Sequence, residues 1–91
     1  MADIKVEKNP TAERLKELGV YDWDIWRKQE CEFTWTYYIE ETCYLLEGEA
    51  TVTPDGGEPV HFEAGDLVTF PPDLSCTWKI TKPIRKHYAL S

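Results

Sequence analysis

The sequence is short of the residues on which many kinds of chemistry depend. It has two histidines, His61 and His87, and three cysteines, Cys31, Cys43 and Cys76. An odd cysteine count without CxxC spacing provides no disulfide framework, and points to a reducing compartment in which the thiols serve as small core residues. Basic residues are also in deficit, with 10 Lys and Arg against 17 Asp and Glu and a formal charge of −7. That field repels phosphate backbones and anionic bilayers, so neither nucleic acid nor membrane is an expected partner. No apolar run approaches the ~20 residues that span a bilayer. The Met1–Ala2–Asp3–Ile4–Lys5 start lacks the basic-then-apolar order of a secretory signal, so a cytoplasmic location is expected. With no internal repeat, linker or low-complexity tract, the 91 residues read as one domain, 1–91, around one core.

What the chain does have is rings. Four Trp, five Tyr and three Phe fall within a hydrophobic fraction of 42%, enough for an aromatic-rich core. Asn9–Pro10 has the form of a helix N-cap followed by proline at the first helical position, and Leu15 and Leu18 supply a narrow apolar stripe before Gly19. One short helix is therefore predicted over residues 10–18. Its charged residues read as a solvated face.

From residue 31 onward, short β-favouring runs alternate with turn residues every eight to twelve positions, the spacing of a sandwich or barrel. Turns are predicted at Glu47–Glu49, Pro54–Gly57, Ala64–Asp66 and Pro71–Asp73. Between them lie strands at Thr42–Leu46, Ala50–Thr53, Val60–Glu63, Leu67–Phe70, Ser75–Ile80 and Ile84–Leu90. Strand alternation puts Cys31, Phe33, Trp35 and Tyr37 on one face and, likewise, Cys76, Trp78 and Ile80 on one face. Both sets are expected to point inward.

Two spacings stand out. Glu41 is followed by six residues and Gly48, and Gly65 by five residues and Pro71, with seventeen positions from Gly48 to Gly65. This punctuation resembles the two motifs of the cupin superfamily (RmlC-like), over roughly residues 31–82. The likeness is greatest to the small stand-alone cupins that share their domain with ureidoglycine aminohydrolase and ethanolamine-utilisation cupins. The resemblance implies an all-β fold: a small double-sheet β-barrel, or jelly roll, preceded by one short N-terminal helix.

The resemblance also implies a metal held by a His-x-His pair, a Glu and a later His, and here this sequence departs from the pattern. Counting from the motifs, Trp35 and Tyr37 stand at the His-x-His positions, Cys76 replaces the later histidine, and only Glu41 is retained. One carboxylate and one thiol are too few donors for a tightly held transition metal. No metal site or cofactor is expected, with a weakly bound divalent ion left open. His61 and His87 read as surface or structurally hydrogen-bonded residues.

The expected site is an interior pocket with Glu41 as the candidate catalytic residue and Trp35, Tyr37, Cys76 and Trp78 as ligand-binding residues. A carboxyl buried without a partner is costly, so Glu41 calls for a ligand, a catalytic proton or a local donor such as the Tyr37 hydroxyl. The 82–87 segment, Lys-Pro-Ile-Arg-Lys-His, is the basic cluster of an acidic chain and reads as a solvated edge strand. The leading functional expectation is binding of a small metabolite inside the barrel. The alternatives are a metal-dependent enzyme related to ureidoglycine aminohydrolase and a non-catalytic interaction module with a plugged barrel. A homodimer is expected to cover Trp23, Ile25 and Trp26.

Overall fold

The computed structural model describes residues 3–91. The elements are β1 (Lys5–Glu7), α1 (Ala12–Leu18), a 3-10 turn (Val20–Asp22), β2 (Asp24–Lys28), β3 (Cys31–Tyr37), β4 (Glu41–Pro54), β5 (Val60–Glu63), β6 (Leu67–Phe70) and β7 (Leu74–Leu90). Every pairing is antiparallel. No helix among the described residues is long and apolar enough to cross a membrane.

Two long strands organise the barrel. β4 and β7 pair along their length, from Glu41 opposite Leu90 to Pro54 opposite Cys76. The first half of β4 also pairs β6, which in turn pairs β1, while its second half pairs β5. The first half of β7 pairs β3 and its second half pairs β2. The expected two sheets are thus one seven-stranded hydrogen-bonded sheet folded on itself, with five strands (β1, β6, β4, β7, β2) in one half and four (β5, β4, β7, β3) in the other, β4 and β7 running through both.

The fold line lies at Gly48 and Pro83. Sequence punctuation predicted a turn at 47–49 and a break after Ile80, but both strands run through. Gly48 adopts φ 99, and a Cβ there would collide with the backbone carbonyl oxygens of Lys82 and Pro83. The ladder shifts register between Leu45 and Ala50, and Pro83, which has no N–H to donate, sits within this irregular stretch. Glycine and proline therefore bend the two strands together rather than end them.

The interior is closed by rings from both halves. Phe62 on β5 meets Phe70 on β6 at 6.0 Å and Trp78 on β7 at 5.4 Å, both edge-to-face. Leu45, Val52, Phe62 and Phe70 are fully buried, each contributing about 1.5–3 kcal/mol by leaving water.

The helix starts later than predicted. Thr11, not Asn9, is the N-cap, and its hydroxyl accepts from the Arg14 N–H at 3.2 Å; Gly19 closes the helix with φ 71. Asn9 instead takes a positive φ of 46 in the approach from β1. That approach is tied to the barrel by Lys8, whose ammonium donates to the buried Asp66 carboxylate at 2.6 Å. β1 and β2 are strands that the residue pattern did not indicate. β1 has one apolar residue in three, and β2 lies outside the regular strand spacing.

Candidate functional site

A cavity of about 630 Å³ opens from the barrel beside β2, β3, the start of β4 and the end of β7. Its size is that of a small-molecule site. Phe33, Trp35 and Tyr37 come from one face of β3; Lys86, Tyr88 and Leu90 come from one face of β7. Glu41 enters at the start of β4 and Trp26 from β2.

Lys86 is the residue that sequence reasoning missed. The Lys82–His87 segment is not a solvated edge, because β7 is paired by β4 on one side and by β2 on the other. Lys82 and Arg85 do lie outward, pairing with Glu49 and Glu47. The Lys86 side chain is 5% exposed and donates to Glu41 Oε2 at 2.9 Å. Its ammonium also lies 4.8 Å from the Trp26 ring centroid, 4.9 Å from that of Trp78 and 5.9 Å from that of Phe70, so ring faces surround the cation. The signal was present in the alternation of the last strand, since Lys86 shares the face of the buried Ile84.

Glu41 lies in the cavity as expected, with its side chain 12% exposed, but its recorded donor is Lys86 rather than Tyr37. Tyr37 lines the cavity and stacks on Phe70 at 4.6 Å, and its hydroxyl accepts from Trp78 Nε1–H at 3.1 Å. Burial, reinforced by the adjacent Glu41, raises the Tyr37 pKa above that of an ordinary phenol, which keeps it a hydrogen-bond donor at neutral pH. Trp78 lines the cavity with its ring stacked on Phe33 at 6.0 Å.

Two expectations need adjustment. Trp35 shares the face of Tyr37, yet it is 54% exposed where Tyr37 is 4% exposed, so it stands at the cavity mouth instead of in packed core. Cys76 is buried but lies outside the cavity lining, and its thiol donates weakly to the Trp35 carbonyl at 3.5 Å. Burial, with Asp55 nearby, pushes its pKa up to about 11, so a thiol and not a thiolate is present at neutral pH. The histidines lie elsewhere: His61 contacts the Thr51 hydroxyl at 3.2 Å and His87 the Trp23 carbonyl at 3.0 Å.

The donor set does not fit the metal centre implied by the motif resemblance. No group of three or more His, Cys, Asp or Glu able to hold a metal occurs among the described residues, and the one acidic ligand faces an ammonium.

The model of the EutQ-like cupin domain matches residues 15–88. The chain belongs to this cupin family. A DUF861 family protein from Thermotoga maritima has a similar structure, with 52% identity, a TM-score of 0.95 and coverage of 98% of this chain and all of that one. A putative ethanolamine utilization protein Q from Salmonella typhimurium is 27% identical at TM-score 0.66, over 72% of this chain. This cupin spans about half of that protein's length, the match covering 53% of it. An RmlC-like cupin from Shewanella frigidimarina shares the fold at TM-score 0.57 and 19% identity, over 74% of this cupin and 65% of that chain. No curated protein matches this cupin.

Proposed function

We propose that this cupin binds a small metabolite inside the barrel, anchored by the Lys86–Glu41 pair and walled by Trp26, Trp35, Tyr37 and Trp78. The observation that supports this reading is an aromatic cavity of about 630 Å³ with a single buried ion pair between two of its lining residues. Apolar walls with a few convergent polar groups are the usual make-up of a ligand site. An open cavity also argues against a barrel plugged throughout, and the mismatch of donors argues against the metal-dependent alternative. The buried and half-buried free cysteines suit a reducing compartment, and a cytoplasmic location is part of the proposal.

The test is a screen of small metabolites for thermal stabilisation, since a ligand that binds only the native state raises its stability. A ligand is expected that raises the melting temperature of the wild type and fails to raise that of Glu41→Gln. A broad library that leaves the wild type unmoved would sink the reading.

A further inference from the structure

The geometry points to a ligand class: a molecule without net charge that presents two adjacent hydroxyls, as in a neutral sugar or polyol. This deepens the metabolite-binding reading and rests on it. The cavity's buried charges already cancel, with Lys86 Nζ 2.9 Å from Glu41 Oε2 and the two side chains 5% and 12% exposed. A buried pair is costly to break, because the group left behind stays desolvated and uncompensated. An anionic ligand competes with Glu41 for the one buried ammonium. A cationic ligand sets a second positive charge against one carboxylate. Either leaves a like-charge contact in a poorly solvated space.

A neutral diol avoids both. One hydroxyl donates to a Glu41 oxygen while its neighbour accepts from Lys86, whose one recorded hydrogen bond leaves N–H donors over. The rest of the surface suits such a molecule. The Trp26 and Trp78 rings flank the ammonium, and Trp35 stands at the mouth. The exposed Trp35 ring offers an apolar face to the C–H side of a sugar ring while the hydroxyl edge meets the pair. Lys28, the other cation of the lining, lies over the Phe33 ring at 5.2 Å.

The experiment compares one ring in three charge states, glucose, glucuronate and glucosamine at a pH slightly below neutral, with xylose and myo-inositol as further neutral probes. Binding is read by thermal shift and by tryptophan fluorescence. The neutral probes are expected to bind the wild type at least about tenfold more tightly than either charged one. Glu41→Gln removes the negative member and is expected to shift preference towards glucuronate; Lys86→Met is expected to shift it towards glucosamine. Circular dichroism identifies a variant that fails to fold, and each variant shift is testable without the other. A wild type that prefers glucuronate or glucosamine overturns the class while leaving metabolite binding intact. So does a metabolite screen whose hit is charged or has no adjacent hydroxyls. Silence in both the probe panel and the screen overturns the class and the binding reading together.

Discussion

Cys43 and Cys76 sit in the barrel wall with thiol pKa values raised from 9.0 to about 11, chiefly by burial. For Cys43 the nearby Lys86 works in the opposite direction and Glu41 adds to the rise. A thiol is neutral when protonated, so a folded-state value above the unfolded one stabilises the fold. The contribution is complete below about pH 9 and disappears as pH climbs through 11. The buried Tyr37 phenol acts in the same sense. Stability should therefore fall across this alkaline window, and Cys43→Ala should shrink the fall. At neutral pH, native protein treated with iodoacetamide should show Cys43 and Cys76 unmodified by mass spectrometry; rapid labelling of either would contradict the account. At this scale the sequence was partly legible. Glu41, Tyr37 and Trp78 could be placed from motif spacing and alternation. Lys86 was hidden because a lysine within a basic run reads as solvent-facing unless the register of its own strand is followed.

At the scale of elements, glycines with the same backbone habit do different jobs. Gly56 has φ 71 in the turn after β4 with open space around its Cα, whereas Gly48 has φ 99 and faces the carbonyls of β7. Alanine at position 56 meets only the backbone penalty, about 1–2 kcal/mol. At position 48 the same penalty is joined by a clash with main chain that cannot rotate away. Gly48→Ala should cost about 3 kcal/mol or more in denaturant unfolding, well beyond Gly56→Ala. Equal losses would mean that the bend tolerates a side chain. This contrast also explains why strand ends were harder to read than strand existence. A turn glycine and a bend glycine look alike in sequence, and the contact that separates them is made by Lys82 and Pro83 on the paired strand β7.

For the whole molecule, exposed apolar side chains and a free strand edge call for a cover. Tyr21 and Ile25 are exposed away from the cavity, Trp35, Tyr38, Ile39 and Leu90 are exposed around its mouth, and β3 pairs β7 alone among the described residues, leaving its other edge free. Trp26, expected in an interface, is spent on the cavity instead. Unpaired edges and exposed rings invite a second copy. A homodimer mass is expected in light scattering at micromolar concentration, and a monomer mass throughout would refute it. The spacing of short runs indicated a sandwich or barrel, and the resemblance to the cupin motifs indicated the barrel; the surface left for a partner was not legible, because it depends on which rings the cavity uses.

The pairing of β4 with β7 also bears on how the chain reaches this shape. The ladder joins Glu41 to Leu90 and Pro54 to Cys76, and each of β2, β3, β5 and β6 pairs with one of these two strands. The ladder cannot form until the chain has been made through β7 and a long loop has been closed, which costs entropy before any contact rewards it. Folding on the millisecond-to-second scale of non-local β topologies follows from that order of events. A ribosome-bound chain that has not yet emerged past β7 has β4 without its partner, and so exposes the strand that the finished barrel holds most completely.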